Sequence, residues 1–294
     1  MAVLGNSTVS SSVTESIPAE DIEQALQLAP LPPTTFIPIA WAGVVAPGRG
    51  ADVKLLTEDS ETVPAGGKTE GDEFTLVEYT LAERNVTPNV VGYGRFISDE
   101  SVHDSQLNIV QVTTNKAVRF IFNRVDVDGL ALLTSLTTNE TAAGIATTED
   151  HVQNAIAKFQ ALNKDGSNVA LILNHIQLRD LNKDIRASGG AFLGGDTASE
   201  EVRRLLGPNT GFKGVYSNMS VFVSPNVGKT GNDAIGGIVP MGEFGPLAIR
   251  SWEPLSVAQQ YQPLRHGNIV AYSVRYGVAV ANLLNGVKII TNGT

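Results

Sequence analysis

The sequence predicts an α+β fold, and three features of its 294 residues lead there. A single stretch keeps helical apolar spacing for about 26 residues, far beyond the usual helix of about 11–12. The middle of the chain mixes helix starts with short apolar strands that do not repeat as βαβ units. From Val215 onward the pattern is mainly strand.

Composition bounds what such a fold can be. With 42% hydrophobic residues the chain can bury a core, and its length suits one large or two ordinary domains. No run of about 18 apolar residues occurs, so no membrane-spanning helix is expected. The first residues lack a basic n-region and an apolar h-region, so no secretory signal is expected there. The Asn-x-Ser/Thr triplets at Asn6, Asn85, Asn139 and Asn218 then read as chance. There is no cysteine, which removes disulfides, thiolate metal sites, iron–sulfur clusters and thiol nucleophiles together. Packing must hold the protein.

The net charge of −9 is unevenly placed. Residues 1–150 carry 21 acids and 8 bases, whereas residues 151–294 carry 9 acids and 13 bases. Residues 52–83 hold nine acids against only Lys54 and Lys68. A segment this acidic repels nucleic acid and attracts basic protein surface. It reads either as a solvated loop or as one side of a contact whose other side is the basic half of a second copy.

Taken in order, residues 1–16 are Ser/Thr-rich and read as a mobile arm. Pro18 opens a short amphipathic helix, with Glu20, Asp21 and Glu23 early and Ile22, Ala25, Leu26 and Ala29 on one face. Pro30, Pro32, Pro33 and Pro38 stop it. A long hairpin follows, with strands near Asp52–Thr57 and Phe74–Leu81 and a flexible tip at residues 64–68. Its few large apolar residues cannot form a core, so the ribbon must lie on something else.

The long helix starts at Ser98 and Asp99 and carries Val102, Ile109, Val110, Ala117, Phe120 and Ile121 as a stripe through Val125, with Gly129 closing it. Thr148 starts a helix with Val152, Ala155, Ile156, Phe159 and Leu162 on its apolar face. Val169–Leu173 is a buried strand, and Asn174 caps a helix carrying Ile176, Leu178, Leu181 and Ile185, ended by Gly189 and Gly190. Ser199 begins another short helix, stopped by Gly207 and Pro208. At the end, Ile269–Leu284 is strand-like, and Asn285-Gly286 predicts a tight hairpin turn into Val287–Thr291.

No catalytic constellation emerges. Val223–Thr230 (VSPNVGKT) is the best phosphate-loop candidate, but Val223 stands where the loop needs Gly and no helix pattern follows; it reads as a surface loop. Asp126-x-Asp128-Gly129 resembles part of a calcium loop, yet Arg124 and Ser135 occupy ligand positions, so two carboxylates at a helix end fit better. His103, His151, His175 and His266 are scattered without metal spacing and read as polar surface or capping residues. No Gly-x-Ser-x-Gly elbow occurs, and Glu200-Glu201 suit a helix start. Arg203 and Arg204, with Arg179, Lys183 and Arg186, form the only local basic clusters, without interleaved aromatic residues. No cofactor and no metal are expected.

The order of parts resembles the major capsid proteins of tailed bacteriophages, with the Hong-Kong-97-type fold. Four stretches carry the resemblance: Arg95–Ser105 (RFISDESVHDS), like a strand leading to a spine helix; Val169–His175 (VALILNH), like the strand before an axial-domain helix; Gly211–Asn218 (GFKGVYSN), like the segment returning to the last strands; and Ser273–Val280 (SVRYGVAV) with Val287–Thr291 (VKIIT), like the closing strands. The similarity covers roughly residues 15–294.

The resemblance implies an N-terminal arm (1–50), an extended hairpin loop (51–97), the spine helix of a peripheral domain (98–128), a mostly axial domain (129–265) and closing strands of the peripheral domain (266–294). It implies a structural protein rather than an enzyme, self-assembling as hexamers and pentamers of an icosahedral shell around double-stranded DNA. The expected partners are other copies, a separate scaffolding protein, a portal, a decoration protein, and DNA bound without sequence specificity. The expected location is the virion capsid, assembled in the host cytoplasm. For inter-subunit contacts, Glu58, Asp59, Glu61, Glu70, Asp72 and Glu73 of the acidic hairpin are expected to meet Arg179, Arg186, Arg203 and Arg204 of a neighbour. Lys68 with Asn282 or Asn285 would be the pair for the covalent crosslink some members make, but no local motif supports it, and no crosslink is expected. An encapsulin-like compartment shell is the alternative reading of the same fold.

Overall fold

The computed structural model describes residues 8–12, 34–46, 52–58, 81–104, 109–162, 168–187 and 212–293. Two sheets and four helices organise them. The first sheet contains β1 (Thr8–Ser12), β2 (Trp41–Val44), β5 (Asn89–Ser98), β12 (Leu247–Gln262) and β13 (Gly267–Val280), in the order β1-β12-β13-β5 with β2 also on β12. The second contains β6 (Thr138–Ala142), β7 (Val169–Leu173), β8 (Phe212–Tyr216), β9 (Met219–Val223), β10 (Lys229–Thr230), β11 (Asp233–Pro240) and β14 (Val287–Asn292), in the order β6-β14-β11-β7-β9-β8 with β10 on β11. A separate ribbon pairs β3 (Val53–Glu58) with β4 (Leu81–Val86).

The long helical run divides into α1 (Asp99–Asp104) and α2 (Ile109–Ala131). Ser98 caps its start as expected, its Oγ accepting from the Ser101 N–H at 3.2 Å. Gly129 does not close α2 but lies inside it. Phe36 packs so closely there that a Cβ on residue 129 would overlap the phenyl ring. The apolar stripe is also rotated from the expected one. Ala117, Val118, Ile121 and Val125 are buried, whereas Phe120 is 53% exposed and leans on Tyr93 with ring centroids 5.7 Å apart. The two threonines in α2 are tolerated because both are buried: Thr114 Oγ1 donates to Val110 O and bonds the Tyr272 hydroxyl at 2.7 Å.

The next elements follow the expected boundaries. Thr148 caps α3 (Glu149–Ala161), and His151 reaches back to the Thr148 N–H, completing a capping box. The strand β7 is buried at all five residues. Asn174 caps α4 (His175–Ala187), with its Oδ1 accepting from the Ile176 N–H while Gln177 Oε1 accepts from the Asn174 N–H. The helix expected at Ser199 and that expected at Pro18 lie outside the described residues.

Three expectations need correction. Thr8–Ser12, read as part of a mobile arm, is a strand in parallel register with Ser256–Gln260. The return strand of the ribbon is Leu81–Val86, not Phe74–Leu81; the residues before Leu81 lie outside those described. The terminal hairpin does not form. The strand β14 leaves the first sheet and pairs antiparallel with β11 and parallel with β6 in the second. Between them the chain turns over several residues: the Ala281 N–H donates to Pro246 O, and the Leu284 N–H to Asn282 Oδ1. Gly286 does not take the positive φ that a two-residue type I′ turn demands. Burial of Val287 and Ile289 between β11 and β6 wins instead.

The largest core cluster joins α2 to both sheets through Phe36, Ile121, Leu133, Ile172, Phe222, Val270 and Tyr272. A small cluster seats the ribbon: Leu55 and Val86 pack on Ala248 and Ala281, beside Trp41 and Trp252. The ribbon that could not form its own core therefore rests on the first sheet of its own chain.

Candidate functional site

The carboxylates proposed from sequence as chemistry are structural. Asp126 is 2% exposed, and four donors converge on it. The Thr35 and Phe36 N–H groups donate to Oδ1 at 2.7 and 2.8 Å, and Ser224 Oγ and Asn226 Nδ2 to Oδ2 at 2.8 and 3.1 Å. Asp128 accepts from the Tyr276 hydroxyl at 2.8 Å and pairs with Arg124. Burial, and then the bond to Asp128, hold the Tyr276 hydroxyl far above its ordinary value of 10.0. Neither acid is open to a cation, and no metal-binding group of His, Asp and Glu occurs among the described residues.

The VSPNVGKT segment makes the turn from β9 to β10, as a surface loop would. Lys229 donates to Gly293 O, and Ser224 and Asn226 serve Asp126. Of the histidines, His151 caps α3, His175 begins α4, and His266 takes a left-handed backbone at φ 46°.

Of the expected contact residues, Arg179 is exposed on α4 and paired with Asp180 at 2.8 Å. His175, Arg179 and Lys183 recur every four residues on that helix, and with Leu178 and Asn182 they line a shallow depression. Glu58 ends β3 and Arg186 lies in α4, but their side chains are outside the described residues, as are Asp59, Glu61, Glu70, Asp72, Glu73, Arg203 and Arg204. Whether the acids and arginines meet is therefore open to experiment alone.

What the sequence did not mark is surface. One face of the first sheet packs under α2 through Val257, Val270, Tyr272 and Val274. The opposite face is lined by Val90, Gly92, Gly94 and Phe96 of β5, opposite Arg275, Ser273, Ala271 and Ile269 of β13. Here Val90 is 63% and Phe96 38% exposed, although the ribbon covers the other end of the same face. At the tip of the long β12–β13 pair, Leu264 is 99% exposed. Exposed aliphatic and aromatic residues grouped this way mark contact with other protein chains. Period-2 alternation could have flagged β5, but its glycines hide the pattern.

No helix among the described residues is long and apolar enough to cross a membrane. The family model described as phage capsid protein matches residues 83–289. No curated protein matches the chain. Among solved structures, the capsid of Ralstonia phage GP4 is similar over 100% of this chain and 98% of its own, with TM-score 0.67 and 8% identity. The head structure of Helicobacter pylori bacteriophage KHP40 is similar over 90% and 92%, with TM-score 0.63 and 10% identity. A chain of Mycobacterium phage Che8 is similar over 82% and 85%, with TM-score 0.60 and 14% identity. At these identities the likeness is one of fold.

Proposed function

Since the chain belongs to the phage capsid protein family and is a major capsid protein, we propose that its copies join as hexamers and pentamers and close into an icosahedral shell around double-stranded DNA. The family match speaks for this viral shell over an encapsulin-like compartment. The observation that carries the assembly reading is the open face of the first sheet at Val90 and Phe96, continuous with the place where the chain's own ribbon packs.

The role is structural, and packing with charge complementarity does the work, not catalysis. The acidic hairpin (Glu58, Asp59, Glu61, Glu70, Asp72, Glu73) of one copy is matched to cations of a neighbour, with Arg179, Arg186, Arg203 and Arg204 as the candidates; the exposed His175–Arg179–Lys183 row supports a receptive basic surface on α4. The first sheet with α2 is assigned to the peripheral domain and the second sheet with α3 and α4 to the axial domain. On that division β12 joins the peripheral part and β14 the axial part. Assembly in the host cytoplasm with a separate scaffolding protein and a portal, decoration from outside, and sequence-independent packaging of DNA complete the reading.

Negative-stain electron microscopy with light scattering tests it. Closed shells or five- and six-fold rings, from the chain alone or with a co-expressed scaffold, are expected. A strictly monodisperse monomer under both conditions would overturn the proposal.

A further inference from the structure

The helix α2 turns one stripe away from the sheet. Its inner side is fixed by Thr114 on Tyr272 and Asp128 under Tyr276. Val112, Arg119 and Asp126, seven residues apart, share the outer stripe, since seven residues are close to two turns. At one end the stripe is covered, because Thr35 and Phe36 lie over Asp126. Toward the other end it is open. Lys116 and Arg119 are exposed, Val112 is 38% exposed, and Phe120 flanks them. Among the described residues no carboxylate lies within ion-pair distance of Lys116 or Arg119.

We propose that residues 18–29 of the same chain dock on this stripe as an amphipathic helix. The chain outside the described residues ends on the stripe itself, at the Thr35–Asp126 contact. Its other end is Ser12, paired with Gln260, which lies opposite Ile269 and hence level with Phe96. That level is near Ser98, where the helical run toward α2 begins. Residues 13–34 must therefore travel from the start of α2 toward Asp126. Ile109 to Asp126 is about 26 Å along the helix, and twelve helical residues cover about 18 Å, leaving short connectors at each end.

The chemistry agrees with the path. Ile22, Ala25, Leu26 and Ala29 supply an apolar side for Val112 and Phe120, and Glu20, Asp21 and Glu23 supply acids for Lys116 and Arg119. Tethering at both ends raises the effective concentration of the segment over that of a second copy's. The acidic arm thus neutralises the cationic face of α2.

The absence of cysteine makes the test clean. Gln27→Cys with Asn123→Cys, treated with a short bismaleimide, is expected to give an intrachain linked peptide, and Gln27→Cys with Lys183→Cys is not. Interchain dimers instead would overturn the proposal in favour of a second copy on the stripe, and no product above the control pair would overturn it outright. In a second measurement, Lys116→Glu with Arg119→Glu is expected to speed amide exchange in residues 18–29 by about fivefold, as the loss of two exposed ion pairs allows. Adding Glu20→Lys and Glu23→Lys should restore much of it, with β7 unchanged throughout. Unchanged exchange in residues 18–29 would sink the docking.

Discussion

The Phe36 N–H donates to Asp126 Oδ1 at 2.8 Å, across 90 positions of sequence. This bond, with those from Thr35, Ser224 and Asn226, fastens the end of the arm and the β9–β10 turn to α2. A buried carboxylate serving four donors is costly to remove, because every donor is then stranded. Asp126→Ala should lose about 3 kcal/mol or more, read as a lowered urea midpoint, and Asp126→Asn should lose less. A midpoint unchanged in the alanine variant would show that water replaces the carboxylate at no cost.

Gly129 sits against the Phe36 ring. Alanine there gains about 1 kcal/mol of helix propensity but forces the ring or the helix to move, at a cost of about 1–3 kcal/mol. Gly129→Ala should therefore lower Tm, and Phe36→Leu in the same chain should recover part of the loss. A raised Tm for the single variant would mean that Phe36 moves freely.

Tyr276 donates to Asp128, and burial with that carboxylate raises its hydroxyl above 10.0; burial raises Tyr272 as well. A group whose pKa is raised on folding binds its proton more tightly in the native state. Its stabilisation is complete below about pH 10, the unfolded value, and is lost as pH climbs from there toward the folded value. Stability measured by denaturant should stay level up to about pH 10 and then fall, and Tyr276→Phe should flatten that fall. An equally steep fall in the variant would place the titration elsewhere.

Charge reversal at Glu70, Asp72 and Glu73 should lower shell yield and salt tolerance while leaving the fold of the subunit intact. Arg203→Glu with Arg204→Glu should partly rescue it. Full yield from the acidic-to-basic variant at all salt concentrations would refute the pairing.

Leu264 and Phe96 are exposed, so their loss should cost the isolated subunit little, within about 0.5 kcal/mol. Phe96→Ser and Leu264→Ser should nonetheless reduce assembly by more than any change in Tm explains. Wild-type assembly kinetics for both would remove these residues from the contact surface.

Where the signal was local, the chain was legible. Thr148 and Asn174 start α3 and α4, and Val169–Leu173 is a strand with the boundaries its apolar run implies. The class of site was legible too, in that the segments suspected of chemistry proved to be caps, turns and buried bonds. The surfaces were not. Phe120 fits a helical apolar stripe as well as Ile121 does, and only the position of the sheet decides that it faces outward. Gly129 reads as a helix end until Phe36 is seen beside it.

By itself the sequence determined the α+β class, the helix starts after the Ser98, Thr148 and Asn174 caps, and the asymmetry of charge. Caps and apolar periods act over three or four residues, and such contacts are chosen before distant parts of the chain meet. The tertiary structure decided that β14 crosses to β11 and β6 despite Asn285-Gly286, that Thr8–Ser12 joins β12, and which face of the first sheet is left open. Those choices lie between strand edges of similar pattern far apart in sequence. They are settled by which pairing buries Val287 and Ile289, a comparison of whole packings that no local motif contains.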